Sequence, residues 1–132
     1  MKKYKDALKE ALERALGVEI TPFATITRSD FRYPATFFYL SGFDRREGLF
    51  ELVFTLEHVV RGHFLDGEQI EEALLEFLAK VREKPLILFE VDGRAHTVYL
   101  DTERSNVWRM VDDAGYFIAG VVFNIRLVLE EG

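Results

Sequence analysis

Residues 49–81 read LFELVFTLEHVVRGHFLDGEQIEEALLEFLAKV, and the spacing of the apolar residues changes once along this stretch. Over residues 49–60 apolar side chains occupy every second position, which is the period of a β-strand with one core face. Over residues 66–81 they recur every three or four positions, which is the period of an amphipathic α-helix. The mixed second face of the strand is typical of an antiparallel sheet with a partly covered outer face.

The ends of this helix carry their own signals. Asp66 is a candidate N-cap, and Gln69 follows three residues later as in a capping box. Pro85 disfavours helical geometry at the residue before it, so we expect the helix to stop at Lys84.

A second helix is predicted near the start of the chain, over residues 3–16. Leucines and alanines line one narrow side of it, and Gly17 follows where a left-handed C-terminal cap belongs. Because the stripe is narrow and rich in alanine, we expect this helix to lie close over a sheet.

Several further strands are predicted. Residues 23–27 and 36–40 are short candidates, the second ended by Ser41-Gly42, and a charged turn follows at residues 44–48. Residues 86–100 predict a hairpin, because Asp92-Gly93 supplies the positive φ angles of a tight turn. The last two strands, residues 107–111 and 116–129, flank Asp112-Asp113-Ala114-Gly115. The order predicts an α+β fold, mainly an antiparallel sheet with two helices packed on one face.

The composition of the chain excludes several classes of function. The chain has 132 residues, with 17 Lys and Arg against 23 Asp and Glu, a formal net charge of −6. An acidic chain without a basic stripe is poorly suited to phosphate backbones, so we expect no direct sequence-specific nucleic-acid binding. The absence of cysteine excludes disulfides and thiol nucleophiles. The length predicts a single domain over residues 1–132, and 48% hydrophobic residues exclude a disordered chain. No stretch suits a membrane helix.

The three histidines lack the spacing of a metal site. His58 and His63 are five residues apart, His96 lies in another hairpin, and there is no HExxH motif. Glu57 adjoins His58 on a strand and therefore points to the opposite face. We expect no metal and no cofactor, and we interpret the histidines as solvated or partly packed residues at strand ends.

Catalytic patterns are also missing. Asp112-Asp113 before Ala-Gly favours a turn, because Asp bonds its own backbone there, although two carboxylates in a turn can also meet a cation or a partner. No Ser-His-Asp or Gly-x-Ser-x-Gly pattern is visible. We therefore expect that the protein is not an enzyme.

Aromatic residues are abundant, with twelve Phe, five Tyr and one Trp. The strand at residues 36–40 places Phe37 and Tyr39 on one face and Phe38 on the other. Because both faces of this strand carry aromatic side chains, we expect other parts of the protein to pack against both. The core and the first helix can do so. A neighbouring subunit is an alternative for one face, because aromatic residues concentrate at interfaces.

The layout resembles the phage tail terminator, or tail completion, proteins, including the U-type minor tail proteins of long-tailed phages. The likeness lies in the opening helix ALKEALERAL, the strand segment DFRYPATFFYLSG, the alternating LFELVFTLEHVV, the helix DGEQIEEALLEFLAKV and the ending VWRMVDDAGYFIAGVVFNIRLVLEE. Residues 86–105 fit the family pattern less well.

The resemblance implies a structural subunit of a virion tail, assembled in the host cytoplasm. If the protein is not viral, we expect it to be cytoplasmic. It implies a homo-oligomeric ring, a hexamer, that ends polymerisation of the tail tube protein and meets the head-tail connector protein. The ring requires heterologous contacts between subunits. We expect interface residues in the charged loop and the Asp-rich turn: Phe43, Asp44, Arg45, Arg46, Glu47, Asp112 and Asp113.

Two alternatives remain open. A small α+β enzyme or ligand-binding protein would hold a pocket between helices and sheet, with His58, His96, Tyr99 and Arg109 as candidate lining residues. A dimeric accessory protein would instead use its sheet edge or the aromatic strand as a two-fold interface.

Overall fold

The computed structural model describes residues 2–21, 32–63 and 66–130. Within these ranges its elements are two long helices, six strands and a 3₁₀ turn at Thr102–Arg104. In chain order the long elements are α1 (Lys2–Leu16), β1 (Ala35–Arg46), β2 (Leu49–His63), α2 (Gly67–Glu83), β3 (Leu86–Val91), β4 (Arg94–Tyr99), β5 (Asn106–Val111) and β6 (Tyr116–Glu130). The strand predicted at residues 23–27 lies outside the described residues.

The predicted α+β architecture is confirmed. Strands β1, β2, β6 and β5 form an antiparallel sheet in that order, and β3 and β4 form a separate two-stranded sheet. Alternate residues of β2 and β6 face one core, where Phe54 lies opposite Ile125 and Leu56 opposite Phe123. Both helices and the β3–β4 hairpin pack into this same core, so one face of the large sheet is covered by them.

Helix α1 follows from its apolar spacing. Leu8, Leu12 and Leu16 recur every four residues and are buried, and Gly17 after them has a φ of 63°, the left-handed cap expected there. The helix packs mainly against β3 of the small sheet. Lys3 also forms an ion pair with Asp92 in the β3–β4 turn.

The first hairpin differs from the prediction. β1 does not stop at Ser41-Gly42 but continues to Arg46, and the turn consists of Glu47 and Gly48 alone, both with positive φ. A register shift between Leu40 and Gly42 accommodates one extra residue, as in a β-bulge. The bulge lets the charged residues that resemble a loop in sequence continue the strand.

The capping prediction for α2 is wrong. Its buried stripe is the expected one, with Ile70, Leu74 and Phe77 inside, and the helix ends before Pro85. Asp66, however, makes no side-chain cap hydrogen bond and has φ −97° and ψ 26° rather than the extended geometry of a capping residue. No capping box with Gln69 forms.

The later hairpins match their predictions. Asp92 and Gly93 both have positive φ, at 52° and 78°, and close a two-residue turn between β3 and β4. β5 and β6 pair across the Asp-rich turn. No described helix is both long and apolar enough to cross a bilayer.

Candidate functional site

The β1–β2 hairpin tip holds five of the predicted interface residues. Phe43 is 61% exposed and stacks on Phe50 at 5.9 Å between ring centroids, and the Arg45 guanidinium lies 5.3 Å above the Phe50 ring. Arg46 bridges to Asp44 at 3.0 Å. The tip therefore presents an aromatic surface surrounded by mutually paired charges, and Glu47 occupies the turn itself.

The Asp-rich turn is organised by Asp112. Its carboxylate accepts hydrogen bonds from the backbone N–H groups of Ala114 and Tyr116, at 3.0 and 2.9 Å, and pairs with Arg61 at 2.9 Å. The bond from Tyr116 contributes most to lowering the pKa of Asp112, and Arg61 adds to it. Asp113 is exposed, so the two neighbours have different roles.

These two groups of predicted residues lie at opposite ends of the large sheet. The hairpin tip adjoins Leu49 at the start of β2, whereas the Asp-rich turn adjoins His63 at its end. β2 has 15 residues, which separates the ends by about 45 Å along an extended strand. The seven residues form two surfaces and not one site.

The sequence predicts His58 to be a solvated or partly packed residue at a strand end, but the residue is buried within β2. It is only 8% exposed, its Nδ1 lies 2.8 Å from the Thr36 hydroxyl, and its ring stacks on Phe77 at 4.1 Å. Burial, with Lys80 nearby, lowers the pKa of His58 to about 4. The imidazole is therefore neutral at pH 7. Glu57 points to the opposite face, as expected.

The other histidines lie apart from His58. His96 packs between Tyr4 and Phe89, and its Nε2 is buried without a hydrogen-bond partner. His63 is exposed next to Tyr116. Within residues 2–21, 32–63 and 66–130, no three His, Asp or Glu residues form a group that could hold a metal ion.

A cavity of about 900 Å³ lies between α2 and the large sheet. Its described lining includes His58, Phe77 and Ile70 together with charged side chains of both signs, among them Lys80 and Glu76. Of the four residues that the pocket hypothesis named, His58 alone is among the described lining residues.

The remaining three pocket candidates are elsewhere. His96 faces α1 through its contact with Tyr4, Tyr99 is 56% exposed on β4, and Arg109 pairs with Glu71 at 3.1 Å. The four side chains do not converge on one reacting centre, so the described structure brings together no catalytic group from them.

The outer face of the large sheet has its own small core, which sequence reasoning did not predict in detail. Ala35, Phe37 and Val59 are buried there, with Trp108 packed against them. The Trp108 indole donates to the Glu57 carboxylate at 2.7 Å, and its ring crosses Gly120 so closely that a Cβ there would lie 2.6 Å away. Side chains of the same chain thus cover Phe37, at least in part.

Strand β5 is the most exposed strand of the structure as described. It forms one edge of the large sheet, and five of its six residues are exposed. Val107 and Val111 point to one face and Met110 to the other, with 49%, 60% and 53% of their surfaces accessible. The sequence signal that could have identified this surface is the segment VWRMV, which has apolar residues on both faces. A strand of this kind is either central in a sheet or part of an interface.

Comparisons with known proteins assign no family. No protein-family model matches the chain, and no curated protein matches it significantly.

Proposed function

We propose that this protein is a structural assembly subunit of the phage tail terminator kind. In this role identical copies form a ring, a hexamer, that ends tail-tube polymerisation and presents its other side to the head-tail connector protein. The virion tail is the corresponding location. The protein has no catalytic role in this proposal.

One observation carries the proposal: the large sheet exposes apolar side chains in two different surfaces that lie far apart. The first is the hairpin tip around Phe43, and the second is the β5 edge with Val111. Other exposed apolar side chains lie on α2 and on the small sheet, among them Leu75 and Leu88. Closed rings with cyclic symmetry need two different, complementary surfaces on each subunit, whereas a two-fold dimer needs only one. Exposed apolar patches on compact proteins commonly mark such contacts.

The first test is the assembled mass, measured by light scattering and sedimentation from micromolar to millimolar protein, with and without divalent cation. We expect a hexamer, or a monomer that becomes one at high concentration. A dimer at every concentration would favour the accessory-protein alternative. A monomer throughout that also fails to cap purified tail tubes would refute the proposal.

A second candidate function is supported by the cavity beside α2. Its volume is in the range of small-molecule sites, and its described lining combines the His58–Phe77 stack with charged side chains of both signs, among them Lys80 and Glu76. A binder of small apolar molecules that carry one polar or charged group is the corresponding function. Amide chemical shifts of residues around His58, recorded with benzoate up to millimolar concentration, test it. Shifts that Lys80→Gln abolishes and Lys84→Gln leaves unchanged would support it, and no shifts would exclude it for this probe.

A further inference from the structure

Among the residues that the structure describes, none gives the edge strand β5 the usual protection of a sheet edge. Monomeric proteins cover such edges, shorten them, or place unpaired charges or proline on them. Within Asn106–Val111 the only charged residue is Arg109, which is already paired with Glu71 of α2. Trp108 leans away from the edge, across Gly120 towards Glu57, so it does not shield the strand. The open edge is therefore available for another strand.

The opposite edge of the same sheet is β1, whose start is already bridged by Ile20 and Thr21 at Thr36. Farther along β1, the described residues expose apolar side chains. β1 is the strand farthest from β5, and within it Leu40 and Phe43 are 50% and 61% exposed. Both lie on the face that the helices cover, as Val107 and Val111 do on β5. The two edges can thus bring apolar residues together on the same side of a joined sheet.

The number of strands determines how two copies can join. Four antiparallel strands leave β1 and β5 running in opposite directions. If β5 of one molecule pairs antiparallel with β1 of the next, every molecule keeps the same strand direction, so successive copies are related by a rotation that can close a ring. Pairing at residues 40–43 also offsets the copies along the strands, which is the stagger of closed sheets.

We infer that β5 of one copy pairs with residues 40–43 of β1 in a second copy of this chain, which extends the large sheet from subunit to subunit. This inference rests on the proposed ring and names its lateral contact. The competing arrangement pairs β5 with itself around a two-fold axis. Centred on Arg109, that pairing places two guanidinium groups directly opposite each other, which is unfavourable across strands.

Two double variants test the contact, each altering one edge. The β5 variant carries Val107→Lys and Val111→Lys, and the β1 variant carries Leu40→Lys and Phe43→Lys. Leu88→Lys is the matched control, because Leu88 is 69% exposed on β3, which belongs to the separate two-stranded sheet and to neither edge of the large one. Circular dichroism and the fluorescence of the single tryptophan check that each variant is folded.

We expect each double variant to self-associate at least tenfold more weakly than the wild-type chain, and the control to assemble normally. Mixing the two double variants should give a 1:1 dimer of twice the 15.3 kDa chain mass, because one intact β1 and one intact β5 remain in the mixture. A mixture that stays monomeric, or a β5 variant that assembles like the wild type, overturns the inference. If the variants overturn this contact but the wild-type chain is still a hexamer, the proposed ring function stands and only the contact between β5 and β1 is wrong.

Hydrogen exchange of the unmodified chain gives an independent measurement that does not depend on the variants folding. We expect those amides of β5 and of residues 40–43 that do not bond to β6 or β2 to become at least tenfold more protected when the protein is concentrated enough to assemble. Protection of β5 alone would indicate the two-fold pairing and overturn the inference. Unchanged exchange at both edges in an assembled sample would also overturn it.

Discussion

Replacing Gly120 with alanine probes the packing of the outer face of the large sheet. A Cβ at Gly120 would lie 2.6 Å from the Trp108 ring, well inside contact distance. The ring must then move, which also weakens its 2.7 Å hydrogen bond to Glu57. Overpacking costs about 1–3 kcal/mol, and a weakened hydrogen bond adds about 1 kcal/mol. We expect Gly120→Ala to lower the free energy of unfolding by about 2–4 kcal/mol.

A double-mutant cycle in urea isolates the cause. In a Trp108→Ala background the obstruction is gone, and Gly120 does not have positive φ, so Gly120→Ala should then cost less than about 1 kcal/mol. Gly42→Ala is the matched control, since its Cβ would meet Val53 at an ordinary 3.4 Å. An equal cost of Gly120→Ala with and without the indole would refute the reasoning, because the loss would then come from the backbone.

Three further outcomes are expected from urea unfolding. The folded-state pKa of His58 is about 4 against 6.5 when unfolded, so the unfolded chain binds the proton more readily between these values, and stability falls as pH falls from 6.5 towards 4. Lowering the pH from 7 to 5 should cost roughly 2 kcal/mol through this group, and His58→Phe should remove that part of the pH dependence. Asp112→Ala should destabilise the fold clearly more than Asp113→Ala, because only the first carboxylate holds the turn and Arg61; equal effects would contradict this role. Phe54→Ala should cost about 3–5 kcal/mol and Phe43→Ala less than about 0.5 kcal/mol, since Phe54 is 1% exposed and Phe43 61%; similar losses would show that the tip is not free in solution.

Sequence periodicity was sufficient where a segment's own pattern sets its structure. The stripe of α2, the Gly17 cap and the Asp92-Gly93 turn depend on spacings of one to four residues, and the structure confirms all three. Periodicity was insufficient where pairing with a neighbouring strand determines the length of an element. The charged residues of the β1–β2 hairpin resemble a loop, but a bulge and pairing with β2 extend the strand through them.

The candidate surfaces show the same division. The sequence predicts Phe43 in an exposed loop and Asp112 in a turn. Phe43 is exposed but lies within β1, whereas Asp112 does begin the turn before β6. Sequence reasoning grouped the two as one set of interface residues, although strand pairing places them at opposite ends of the sheet. It also interpreted His58 as a residue at a strand end, because the strand was expected to end near residue 60, whereas β2 continues to His63 and buries His58 against α2.

By itself, the sequence determined the order and type of the helices and strands that the structure confirms, because apolar spacing and turn residues act over a few positions. Only the tertiary structure decided which strand became the exposed edge, how Trp108 came to cross Gly120 and reach Glu57, and which end of the sheet each interface candidate occupies. The physical reason is sequence separation. Trp108 and Glu57 are 51 positions apart, and their contact exists only because strand registers align residues that no local pattern relates.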